Sequence, residues 1–115
     1  LQRLAPVRGV LGNMDEGALA AMLPEEDVFN LMGMTVCMTH GSGPVFGLED
    51  RVLNRFLHRK PRIVLFGHSH RFTGKDENGV LLLNPGAVAA AGGERSMAVL
   101  TLASGEAPLV ERVLF

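Results

Sequence analysis

The chain has 115 residues, of which 47% are apolar and 20% charged, and its net charge is −1. That balance suits one globular domain with its own core, and it excludes a strongly basic nucleic-acid surface, an acidic tail and a bilayer-spanning helix. The lone cysteine, Cys37, lies in the apolar run Met34 to Met38, which excludes an internal disulfide and a thiolate zinc site and points to a cytoplasmic setting.

In chain order, Pro6 to Leu11 reads as a short strand running into Gly12-Asn13, and a helical turn is expected around Gly17 to Leu23. Val28 to Met32 and Thr35 to Met38 read as a hairpin or as neighbouring strands, split at Gly33, the second ending at Thr39-His40-Gly41. Leu48 to Lys60 carries the clearest helical pattern, with Leu48, Val52 and Phe56 at intervals of four and Leu53 and Leu57 widening the stripe. Arg59 and Lys60 suit its negative end, and Pro61 stops it. Arg62 to Phe66 is a continuous apolar run, the mark of a strand buried on both faces, and it ends at Gly67-His68-Ser69-His70. Asn78-Gly79 joins Phe72–Lys75 to Val80–Leu83 as a hairpin, and Ser104-Gly105 joins 96–103 to 108–115. Roughly seven short strands and one long helix give an α/β chain of mixed sheets with helical cover.

Four polar, glycine-flanked segments follow apolar strands: Gly12-Asn13-Met14-Asp15, Thr39-His40-Gly41, Gly67-His68-Ser69-His70 and Asn84-Pro85-Gly86-Ala87. Loops at the carboxyl edge of a sheet are where such folds gather functional groups. In an extended chain His68 and His70 share a face; in a loop they diverge, each toward its own ion. Neutral imidazole suits zinc, manganese, iron, cobalt and nickel, and an asparagine oxygen completes a mixed shell, so Asn13, His40, His68 and His70 form a candidate partial metal site. Each segment also has a plain structural role open to it. Asn13 serves equally as a turn residue or helix cap, Asn84-Pro85-Gly86 is a turn by default, and His58 is a surface residue at the end of its helix.

The order and spacing of these segments resemble the later motifs of the calcineurin-like metallophosphoesterases, above all their small bacterial and archaeal phosphodiesterase branch. That branch is also similar to a retromer subunit of the vacuolar sorting machinery. The Gly-His-Ser-His and Asn-Pro-Gly-Ala pair is the specific part. The resemblance implies a fold of two mixed β-sheets packed as a sandwich with flanking helices, residues 1–115 being the C-terminal part of one such domain. It implies two divalent metal ions, manganese first and zinc, iron, nickel or cobalt as alternatives, that bridge a hydroxide and hydrolyse a small phosphate ester. It assigns Asn13, His40 and His68 to the second ion and His70 to the first, and Asp15 orients His40 from behind. The family's opening Asp-x-His and Gly-Asp motifs lie upstream of the Gly-Asn pair and are absent, so only His70 of the first ion's ligands is retained. The start at Leu1 reads as that of a fragment, expected to be inactive alone. Met14 stands where many relatives carry a histidine that acts on the leaving group, and methionine transfers no proton. No side chain here is therefore assigned proton transfer. The alternative is a non-catalytic scaffold or binding protein of the same fold. No nucleic-acid or membrane partner is indicated, and a homo-oligomer is left open.

Overall fold

The computed structural model of the chain describes residues 8–10, 24–87 and 94–115. The expected helical turn over 17–23 lies outside them. Of the expected strand over 6–11, only residues 8–10 are described, and they belong to no strand.

β1 (Glu26–Leu31) and β2 (Met34–Thr39) form an antiparallel hairpin. Its two-residue turn, Met32-Gly33, has φ of 51° and 78°. Both angles are left-handed, as a turn matching the strands' own twist requires. A longer connection then leads into α1 (Leu48–Phe56), which continues as a 3-10 turn over Leu57–Arg59. The helix is thus shorter than its apolar stripe suggests. Lys60 closes it in a left-handed conformation at φ 51°, one residue before Pro61.

β3 (Ile63–Leu65), β4 (Phe72–Glu77) and β5 (Val80–Pro85) complete a five-stranded sheet in the order β1-β2-β3-β5-β4. β3 sits at its centre and runs parallel to both β2 and β5. The β4–β5 hairpin turns through Asn78-Gly79, with φ of 53° and 84°. β6 (Ser96–Thr101) and β7 (Leu109–Leu114) make a separate two-stranded antiparallel sheet.

The period-two alternation of the central strands sorts their side chains into two cores. On one face Cys37, Val64, Phe66 and Leu82 pack against Leu48, Val52 and Phe56 of α1. On the other, Val36, Ile63, Leu81 and Leu83 meet Ala98 and Leu100 of β6 and Val110 of β7. Val36, Cys37, Ile63, Val64 and Leu82 have no exposed surface, so the parallel strands are buried on both faces. The result is a mixed α/β sandwich. Because β2, β3 and β5 run parallel, their carboxyl ends emerge along one edge, and the segments after them carry the candidate site.

Candidate metal centre

His40 follows the last residue of β2, and Gly67-His68 follows β3 after Phe66. The two loops are joined by the Gly67 amide, which donates to the His40 carbonyl at 3.0 Å. Gly67 also lies under the His40 ring. A Cβ there would stand 3.6 Å from His40 Cδ2, an ordinary contact distance, so the ring packs directly on this stretch of backbone. The His40 and His68 rings lie with centroids 5.6 Å apart and planes inclined at 71°.

That separation meets a simple geometric test. A metal about 2.1 Å from one nitrogen of each ring sits about 3.2 Å from each ring centre, so rings sharing an ion have centres at most about 6.4 Å apart. The pair falls inside that reach. Each ring is also oriented from behind. His40 Nδ1–H donates to the Gly41 carbonyl at 3.1 Å, and His68 Nε2–H donates to the Gly43 carbonyl at 2.7 Å. A carbonyl only accepts, so in each contact the hydrogen is on the nitrogen that faces it. Metal-bound histidines are held in this way, the distal N–H tied to a carbonyl or carboxylate. Two imidazoles within that reach are donors of a kind that a divalent ion takes.

The local backbone departs from the extended chain considered for this pair. His68 and His70 have φ of 73° and 60°, both left-handed. The Ser69 amide donates to the Gly67 carbonyl at 2.9 Å, a three-residue γ-turn centred on His68. Left-handed backbone costs a side-chain-bearing residue about 1–2 kcal/mol, and such outliers gather where a side chain must be aimed. His70 is exposed at the end of this turn. Among the described residues, no three His, Cys, Asp or Glu side chains form a metal-sized cluster, so His40 and His68 stand as a pair. Asn13 and Asp15 lie outside the described residues.

Asn84 is the residue that sequence reasoning passed over as part of a turn. It is fully buried. Its Nδ2 donates to the Gly67 carbonyl at 3.1 Å and to Ser69 Oγ at 3.0 Å, while its Oδ1 accepts the Gly86 amide at 3.0 Å. One carboxamide thus locks the histidine loop to the loop after β5. The signal was present in the order Asn-Pro-Gly, where an asparagine that ends a fully apolar strand must find partners for its amide. Gly86, at φ 86°, passes so close to Ser96 that a Cβ would overlap the serine hydroxyl. That hydroxyl donates to the Pro85 carbonyl at 2.8 Å, tying the same loop to β6.

An apolar cavity of about 340 Å³ lies at this edge between the two sheets, lined by His40, Gly67, Met38, Leu65, Leu83 and Leu100 among others. Among the described residues, no helix is long and apolar enough to cross a membrane.

Comparison with known proteins agrees with this architecture. Protein TM1076 of Thermotoga maritima, solved by NMR, is 41% identical and superposes with a TM-score of 0.65 over 94% of this chain; the match spans 64% of that protein's length. Vps29 of Entamoeba histolytica, solved in complex with zinc, is 22% identical with a TM-score of 0.77, over 98% of this chain and 72% of that one. A structure described as a novel archaeal phosphodiesterase is 16% identical with a TM-score of 0.61, over 81% and 52%. No curated protein sequence matches the chain. The family model of the calcineurin-like phosphoesterase superfamily domain matches residues 1–105. With that match covering all four polar loops, the chain belongs to the calcineurin-like phosphoesterase superfamily.

Proposed function

We propose that the chain supplies the later ligand loops of a metal-dependent phosphoesterase, phosphodiesterase-like in substrate, as the C-terminal part of one domain. The observation that carries this is the His40–His68 pair, 5.6 Å apart at the carboxyl edge of parallel strands, each ring backed by a carbonyl. In this reading Asn13, His40 and His68 hold one divalent ion and His70 a second, with Asp15 behind His40; manganese is the first choice. Ions bound there supply a water of lowered pKa and neutralise the phosphoryl oxygens. The chain's own part is positioning. The γ-turn aims His68, Asn84 holds that turn against the loop after β5, and the Gly67 amide ties it to the His40 carbonyl. Met14 stands in place of the imidazole that would protonate the leaving group, which favours esters of acidic alcohols and phenols, or metal-bound water as the acid. The substrate is a small phosphate ester in the cytoplasm.

A non-catalytic scaffold is the second reading, and the fold's likeness to Vps29 is what favours it. A manganese-supplemented assay on an aryl phosphodiester decides between them, using the full-length protein and its His68→Ala variant. The enzyme reading expects turnover by the first and its near-complete loss in the second. Equal turnover by both, or none by either, removes it.

A further inference from the structure

The segment between β2 and α1 contains the carbonyl that holds His68, and it is shaped by a side chain from the helix. Arg51, one turn into α1, donates from Nη1 to the Phe46 carbonyl at 2.9 Å and from Nη2 to the Ser42 carbonyl at 2.9 Å and to the Pro44 carbonyl. The loop closes tightly on the guanidinium. A Cβ on Gly43 would stand 3.4 Å from Arg51 Nη2, and one on Gly47 would stand 3.3 Å from Nη1, with both glycines at left-handed φ of 80° and 78°. Among the described residues, no carboxylate pairs with Arg51. Its fork is given to backbone carbonyls on both sides of Gly43, and Gly43 is the residue whose carbonyl accepts His68 Nε2–H at 2.7 Å. Guanidinium suits this task because its donors lie in one rigid plane, which an ammonium cannot reproduce.

We infer that Arg51 is a positioning residue for His68: it fixes the Ser42–Phe46 loop so that the Gly43 carbonyl holds the imidazole through Nε2–H. This deepens the metal-centre reading and rests on it for its purpose, but the orientation itself is a property of the metal-free protein. Removing a partner that orients a ligating histidine costs about 10–100-fold in metal affinity, and a residue acting one step further back is expected at the lower end.

The test compares the full-length wild type with Arg51→Met, which keeps the aliphatic stem and removes the fork. Arg55→Met is the control, removing a neighbouring exposed arginine that pairs with Glu26. Nitrogen-15 shifts of the imidazoles are read without metal, and manganese affinity is then read by calorimetry. In Arg51→Met the His68 nitrogens move toward the average of a mixed tautomer, the His40 nitrogens stay, and manganese binds about tenfold more weakly. Arg55→Met matches the wild type in all three. Unmoved His68 nitrogens in Arg51→Met overturn the inference, and so does a drop in melting temperature alone, since that makes Arg51 a loop staple and nothing more. Failure of the phosphoesterase reading shows elsewhere, as equal ester turnover by His68→Ala, and leaves the nitrogen shifts to decide Arg51.

Discussion

Asn84→Ala is expected to be among the costliest single changes at the sheet edge. The side chain is wholly buried and makes three hydrogen bonds, to Gly67 O, to Ser69 Oγ and from Gly86 N–H. At about 1 kcal/mol for each, alanine loses about 3 kcal/mol, and more where the Gly86 amide finds no water. Ser69→Ala removes one of the three and is expected to cost about 1 kcal/mol. Asn84→Asp separates hydrogen bonding from size. It keeps an acceptor for Gly86 N–H but sets an oxygen against the Gly67 carbonyl, in a buried position that raises the new carboxyl's pKa. A raised folded-state pKa means that its contribution is present below the unfolded value, about 3.9, and lost as pH rises through the folded one. Its deficit is therefore smallest in acid and grows toward neutrality. Urea unfolding followed by circular dichroism at pH 4 and pH 7 measures all three variants. If Asn84→Ala costs no more than Ser69→Ala, the carboxamide is not the clamp between the two loops.

Gly86→Ala combines φ 86° with a methyl that displaces the Ser96 hydroxyl from the Pro85 carbonyl, and about 2–4 kcal/mol of destabilisation is expected. In a Ser96→Ala background the added cost of Gly86→Ala falls, and a double-mutant cycle in urea reads the difference. Cys37 is fully buried, and burial raises its thiol pKa, so a thiol reagent at neutral pH should label it only at the rate of unfolding. Labelling as fast as free thiol contradicts the packing of β2 under α1. The Arg8 guanidinium hydrogen-bonds Asp27 at 2.8 and 2.9 Å and lowers its carboxyl pKa. A lowered pKa contributes stability above the unfolded value that is lost as pH falls through the folded one. With Arg8 half exposed, Asp27→Asn should destabilise only slightly at pH 7, and the gap to wild type should close below about pH 4. Stability curves against pH for the two proteins check this.

The sheet was legible because its signals are local. Apolar runs of strand length, Asn78-Gly79 and Gly33 at turns, and the four-residue stripe of Leu48, Val52 and Phe56 each act within a few positions. The helix end was read too late because Leu57 continues the stripe, yet it is 51% exposed; tertiary packing ends at Phe56, and Lys60 turns left-handed. The candidate histidines were legible from their glycine neighbours, which reflect close approach of one loop to another. What holds those histidines was not. Asn84 acts across 17 positions on Gly67, and Gly43 across 25 on His68; no local pattern carries such pairings. The left-handed turn at His68 was also hidden, because nothing in the order Gly-His-Ser-His distinguishes an extended pair from a γ-turn.

The central claim is that His40 and His68 take hold of one cation. Anomalous diffraction from crystals of the full-length protein soaked in zinc tests it most directly. The account predicts one peak about 2.0–2.1 Å from a ring nitrogen of each. Zinc bound elsewhere with neither imidazole in its shell, or each ring on an ion of its own, would contradict it.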